Sequence, residues 1–183
     1  ALTDRKKALM QQLLTGKKRL PGFEGKFEFK RLHNLIIEKS ERNKELKCKR
    51  VLSVTNSQGF INQSEQFGRE IASADLSNYK IVRKNQFAYN PSRVNVGSLD
   101  LLRNFEEGLL SPMYVVFETK ENKLLPEFLF YQLKSWWFNG HIPQYVQGSV
   151  RDSLAFEGLK AMSFFIPSLS EQTAIAEILA TAD

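Results

Sequence analysis

Leucines recur at helical spacing at the beginning of the chain. Leu2, Leu9 and Leu13 are separated by seven and then four positions, which is the spacing of an apolar seam that packs against another helix. Gly16 follows, and glycine often ends a helix because it readily adopts the left-handed backbone conformation. The pattern predicts the end of a helix over residues 2–16.

A second helical pattern occupies residues 170–183. Ser170 follows Pro167 and belongs to the residue types that cap helix N-termini. We expect the two helices to be coiled-coil segments, the first finishing a helix and the second beginning one. An amphipathic surface helix that packs on its own domain would give the same spacing. The residues predicted to form helix–helix contacts are Leu2, Leu9, Leu13, Ile175, Ile178 and Leu179.

Short β-branched and aromatic runs lie between these helices. Residues 51–56 precede a turn near Gln58-Gly59 and the apolar pair Phe60-Ile61, which predicts a β-hairpin. A charged run over 38–50 predicts a loop, and residues 27–37 fit either a strand or a helix. Two further strand-like segments, 79–82 and 86–89, flank a turn at 84–85. Two more lie at 113–117 and 163–166.

One internal helix is predicted to begin at Pro126 and to end at Gly140. We expect Trp136 and Trp137 on its apolar face, within the core. Several short strands with few helices predict an α+β fold with a predominantly antiparallel sheet. The predicted domains are a helix end over 1–16, a globular domain over 17–169 and a helix start over 170–183.

Composition narrows the class of protein. Hydrophobic residues make up 42% of the 183 residues and aromatic residues 11%, which supports a folded core. The net charge is +6, of which residues 1–20 contribute +5, so the globular part is nearly neutral. A nucleic-acid surface would therefore depend on local segregation of charge. No apolar stretch reaches the length of a membrane span and no secretory leader opens the sequence, so we expect a cytoplasmic protein.

Residues 89–98 form the most distinctive polar segment. Arginine can form two hydrogen bonds to guanine and asparagine two to adenine, so this loop could read base edges. A polar turn between two strands is the simpler interpretation. Asn90-Pro91 is also similar to the start of a methyltransferase motif, but the sequence offers no glycine-rich turn for the methyl-donor cofactor. The candidate DNA-binding residues here are Asn90, Ser92, Arg93 and Asn95.

Two further segments offer donors to DNA. Gln147, Ser149 and Arg151 surround Gly148, which permits a tight turn. The charged run over 38–50 offers lower-ranked candidate phosphate contacts, namely Lys47, Lys49 and Arg50. Solvated loops would explain both segments equally well. We find no metal site and no catalytic arrangement of serine or histidine, and we expect Cys48 to be an exposed thiol in a basic stretch that could lower its pKa.

Motifs at both ends resemble those of a known family. Residues 9–17 and 19–23 are similar to the end of a conserved helix in specificity subunits of type I restriction-modification enzymes. Residues 167–176 resemble the Pro-x-x-x-Glu-Gln-x-x-Ile-Ala signature that begins the next conserved helix of that family. Segments 79–98, 108–114 and 148–151 are similar to its target recognition domain.

The resemblance implies a sequence-specific DNA-binding module without catalytic activity. In that family, two recognition domains read the halves of a bipartite double-stranded DNA target, and paired helices set the gap between them. The implied partners are modification (methyltransferase) subunits, a restriction subunit, and a second recognition domain in the same chain or in a self-associated copy. No cofactor is expected in this chain, because S-adenosylmethionine, ATP and magnesium would bind to partner subunits.

Two other functions remain open on the sequence. The chain could be a protein-interaction adaptor whose helices dock a partner while the globular part never touches DNA. Less well supported is a small methyltransferase or nuclease. Specific binding of the assembled complex to target DNA would argue against the adaptor. Methyl transfer or DNA cleavage by the purified chain alone would support the enzyme.

Overall fold

The computed structural model describes residues 3–63, 75–148 and 153–182. Helices and short antiparallel sheets alternate within them, so the predicted α+β fold is confirmed. The helices of the described residues are α1 (Asp4–Leu14), α2 (Pro126–Leu133), α3 (Trp136–His141), α4 (Phe156–Ala161) and α5 (Leu169–Thr181). The strands are β1 (Glu28–Arg31), β2 (Ile36–Glu38), β3 (Leu52–Thr55), β4 (Gly59–Asn62), β5 (Lys80–Arg83), β6 (Phe87–Tyr89), β7 (Leu99–Leu101), β8 (Glu107–Leu110), β9 (Val115–Thr119) and β10 (Ser163–Ile166).

The chain divides into two compact units. The first contains Ala1–Ile36, Thr119–Val146 and Glu157–Asp183, and the second contains Ile37–Glu118 and Gln147–Phe156. The predicted boundaries of a recognition domain at 17 and 169 stay a prediction.

In the first unit, α1 and α5 pack against each other and against α2. Helix α1 ends as the sequence predicts, with Gly16 in the left-handed conformation at a φ of 75°. Helix α5 begins earlier than predicted, because Ser168 rather than Ser170 is its N-cap: the Ser168 hydroxyl accepts a hydrogen bond from the Glu171 N–H.

The predicted interface residues of α1 and α5 have different environments. Leu13, Ile175 and Leu179 are fully buried in the first unit, and Leu9 is half-buried. Ile178 differs, since 41% of it is exposed. Leu2 lies outside the described residues.

The predicted helix over 126–140 is wrong, because two helices form there. Helix α2 ends at Leu133, and Ser135 caps α3 by accepting a hydrogen bond from the Phe138 N–H. The break changes the helical register, so Phe138 occupies the core while 70% of Trp136 is exposed. Trp137 is half-buried, and its indole N–H donates to the Ser163 carbonyl across 3.1 Å.

In the second unit, β3 and β4 form the predicted hairpin. A four-stranded sheet has the order β2-β9-β6-β7, and β5 pairs antiparallel with β8. Strands β5 and β6 flank the predicted turn but pair with other strands. The predicted buried strand over 113–117 is wrong at its start: residues 111–114 form a turn, β9 begins at Val115, and 60% of Met113 is exposed.

Candidate nucleic-acid interface

The predicted loop after β6 is held in shape by its own backbone. The Asn90 N–H donates to the Ser98 carbonyl across 3.1 Å, and the Ser98 N–H donates to the Arg93 carbonyl across 3.1 Å. Gly97 closes the loop with a φ of 93°, a conformation that favours glycine. The loop is therefore a defined structure rather than a loose connection.

Three of the predicted residues in this loop face solvent. Ser92, Arg93 and Asn95 are exposed. The Arg93 guanidinium has no hydrogen bond or ion pair with any residue that the structure describes, so its five donors are available to a ligand. Asn90 has a different place, because only 9% of it is exposed and its side-chain oxygen accepts a hydrogen bond from the Ser92 N–H across 3.1 Å. Asn90 shapes the loop that presents its neighbours.

Gln147 of the second predicted segment is connected to the first segment through Ser153 and Leu154. The Leu154 N–H donates to the Pro91 carbonyl across 3.0 Å, and the Tyr89 hydroxyl donates to the Leu154 carbonyl across 2.9 Å. Gln147, which is exposed, exchanges backbone hydrogen bonds with Ser153. The exposed amide of Gln147 and the loop carrying Arg93 thus belong to one hydrogen-bonded assembly. Ser149 and Arg151 lie outside the described residues.

The lower-ranked basic segment lies among acidic side chains. Lys47, Lys49 and Arg50 are exposed, and they line a shallow depression together with Glu106 and Glu107. Lys47 forms an ion pair with Glu45, and the Arg50 guanidinium lies 4.5 Å from the centre of the Phe105 ring. These carboxylates reduce the local positive potential that phosphate binding needs.

Cys48 is not the exposed thiol that the sequence suggested. Only 7% of it is exposed, and it packs with Ile81 and Leu109. Burial raises the pKa of the Cys48 thiol, and this effect outweighs the neighbouring arginines. The thiol therefore stays protonated and unreactive near neutral pH.

The structure adds a polar hairpin tip that sequence reasoning did not select. Asn56, Ser57 and Gln58 are exposed between β3 and β4, and the Asn56 amide lies against Gly97 of the Arg93 loop. A groove of about 490 Å³ lies beside the two loops and is lined by Asn56, Arg93 and Met113 among others. The sequence signal was a run of three polar residues at a turn, which is common and therefore easily overlooked.

Comparison with known proteins confirms the family resemblance in the C-terminal part of the chain, whereas the motifs at 9–17 and 19–23 lie outside the matched residues. Residues 102–183 match the family model described as the type I restriction modification DNA specificity domain. The match includes the signature at 167–176 and the segments at 108–114 and 148–151. A search of curated protein sequences gave no significant match.

Solved structures of specificity subunits have the same fold. The HsdS subunit from Thermoanaerobacter tengcongensis gives a TM-score of 0.56 at 14% identity over 97% of this chain and 43% of its own. The S subunit of a type I restriction-modification system from M. genitalium gives a TM-score of 0.62 at 13% identity, over 97% of this chain and 46% of its own. A structure describing assembly and conformational transition of the type I R-M system gives a TM-score of 0.63 at 14% identity. The alignment covers 90% of this chain and 43% of the other.

The chain thus spans less than half the length of each of these three matched chains. In the part of the chain that the structure describes, no helix has the length and apolar character needed to cross a membrane.

Proposed function

We propose that this chain reads one half of a bipartite DNA target within a type I restriction-modification system. It would position methyltransferase and endonuclease subunits on that target and catalyse nothing itself. S-adenosylmethionine, ATP and magnesium would be bound by those partner subunits. The modification and restriction subunits, and a second recognition domain, are the proposed protein partners.

The observation that carries this proposal is the joining of two predicted DNA-binding segments. The bond from Leu154 to Pro91 brings the Gln147 segment to the loop with Arg93 and Asn95. Arginine and asparagine are the side chains that most often read guanine and adenine in the major groove. A guanidinium that has no partner among the described residues, together with exposed amides, is therefore an arrangement suited to base readout.

The distribution of charge supports DNA recognition by this chain as part of a larger assembly. Beyond residue 20 the chain is nearly neutral, and its basic segment 47–50 lies beside carboxylates, so one half-site would be bound weakly. Two half-sites held at a fixed distance bind more tightly by a factor of about 10² to 10⁴ through effective concentration. The mutual packing of α1 and α5 is consistent with a helical spacer that fixes such a distance.

One feature also suits the adaptor alternative. In the first unit, a groove of about 580 Å³ lies between α1 and α3 and is bordered by Trp136, which is 70% exposed. Exposed tryptophan beside an apolar groove is typical of protein interfaces. Within the proposed function, this groove would contact another subunit; in the adaptor alternative, such contacts would be the whole function.

Methylation mapping followed by DNA binding tests the proposal. The methylated sites of cells with and without the gene give the target, and gel shifts then compare that duplex with a scrambled one at several salt concentrations, using the complex assembled with modification subunits. We expect a gene-dependent bipartite site and specific binding. Assembly without any preference for the mapped duplex would support the adaptor alternative instead.

A further inference from the structure

Three turns of the second unit are tied together around one groove. They are the hairpin tip 56–58, the loop 90–98 and the turn 111–114. The Ser98 hydroxyl donates to the Val54 carbonyl across 3.0 Å, which fixes the loop to the strand that leads into the tip. The Tyr114 hydroxyl accepts from the Val54 N–H across 3.3 Å, which fixes the turn to the same strand.

Two further contacts hold the tip itself. The Asp100 carboxylate accepts from the Phe60 N–H across 3.1 Å and so joins β4, which follows the tip, to the middle of β7. On the other side, a Cβ atom at Gly97 would collide with the Asn56 amide, so the tip and the loop are in close contact. The groove is consequently preorganised, and a ligand would find its walls already in position.

The groove is lined by the exposed Asn56 amide and by two exposed apolar side chains. Val96 is 56% exposed and Met113 is 60% exposed, and both line the groove with Asn56 and Arg93. The Met113 sulfur lies 3.8 Å from the Asn90 side-chain nitrogen, so the turn reaches the base of the loop. Two large apolar groups exposed at the rim of a groove with both polar and apolar walls could contact an apolar group on an otherwise polar ligand.

We infer that this rim reads one A·T base pair in the major groove, with Val96 and Met113 against the thymine methyl group and the Asn56 amide on the adenine edge. The thymine methyl is the apolar group that distinguishes this base pair there, and asparagine can bond both major-groove atoms of adenine. This inference rests on the proposed function and assigns it a specificity-determining site.

A second protein is the other conceivable ligand of exposed Val96 and Met113. The location of the groove argues against it, because its lining includes Asn90 and Arg93 of the loop that the proposed function assigns to DNA. Methionine and arginine are both enriched at protein interfaces, so composition alone does not decide between the two ligands. The shared loop, with the polar and apolar groups side by side that base readout needs, favours DNA.

Base analogues in the mapped target test the inference. Each thymine of the half-site is replaced in turn by deoxyuridine, which lacks the methyl group, and binding of the assembled complex is measured. We expect a loss of on the order of three- to fivefold at one position, the effect of burying a single methyl group. The paired adenine is also replaced by 7-deazaadenine, which lacks the N7 acceptor in the major groove. This replacement should weaken binding by the native protein but not by the Asn56→Ala variant.

The variants separate this site from general effects. In the Val96→Ala/Met113→Ala double variant the deoxyuridine penalty should vanish, whereas Ile37→Ala, at an apolar residue that is 41% exposed and outside the groove, should keep it. A penalty that persists in the double variant, tolerance of deoxyuridine at every position, or a half-site without an A·T pair overturns the inference alone. Failure of the native complex to prefer its mapped target overturns the proposed function with it.

Discussion

Arg19 and Glu171, which are 152 positions apart in the chain, form a two-pronged ion pair. The Arg19 Nε and a terminal nitrogen each lie 2.7 Å from a carboxylate oxygen of Glu171, whose side chain is almost fully buried. These residues belong to the two motifs that carried the family resemblance, the segment 19–23 and the Glu-Gln signature. The Glu171 part of that signature therefore has a structural role, joining the chain after α1 to the first turn of α5.

Removing the arginine should destabilise the first unit. Arg19→Ala leaves the buried Glu171 carboxylate without its cation, and an uncompensated buried charge is unfavourable. We expect a lower midpoint of thermal unfolding by circular dichroism, with Arg19→Lys intermediate because lysine cannot form the paired geometry. Lys18→Ala, at an exposed neighbour, is the control. Equal midpoints for Arg19→Ala and Lys18→Ala would show that the ion pair contributes nothing.

Removing the neighbouring Gln172 amide should destabilise the protein at least as much as removing Arg19. Gln172 is 1% exposed; its oxygen accepts from the Leu125 N–H, and its nitrogen donates to the carbonyls of Lys123 and Pro167. Gln172→Ala leaves these groups unpaired, which should lower the free energy of unfolding by about 2–4 kcal/mol in urea titrations. The exposed Thr173→Ala should stay within about 0.5 kcal/mol of the native protein. A Gln172→Ala variant as stable as Thr173→Ala would contradict this assignment.

Arg93 and Lys49 should affect DNA binding in different ways. Arg93→Ala should reduce binding to the mapped target by roughly 1–3 kcal/mol and relax its sequence preference, because a base contact is lost. Lys49→Ala should weaken binding to all duplexes alike and reduce the salt dependence by about one phosphate contact. Fluorescence anisotropy at several salt concentrations measures both. Unchanged methylation rate and target choice in the Arg93→Ala complex would show that the loop does not read DNA.

The single cysteine reports on the second unit. Because burial raises the pKa of Cys48, its thiol should react slowly with an aromatic disulfide reagent even at mildly alkaline pH. Denaturant should restore the rate of a free thiol, so labelling against urea concentration follows unfolding of this unit. Rapid labelling of the folded protein would place Cys48 at the surface.

Local patterns determined much of the fold. Turn residues predict the hairpin of β3 and β4, glycine predicts the end of α1 near Gly16, and aromatic residues predict the strand at 163–166. These signals act over a few residues, so spacing alone reveals them. Where two local signals compete, spacing misleads: the apolar face of 126–140 is continuous in sequence, but Ser135 caps a new helix within it.

For the candidate site, the sequence by itself supplied the residue types and the family motifs, including Arg93, Asn95 and Gln147. Only the tertiary structure decided that the loop of Arg93 is bonded to Leu154, next to the partner of Gln147, and that Asn56 contacts this loop. It also decided that Asn90 turns inward and that Cys48 is buried. The physical reason is distance along the chain. A bond such as that between Tyr89 and Leu154 spans 65 positions, and its partners are chosen by packing of the whole unit rather than by their neighbours in sequence.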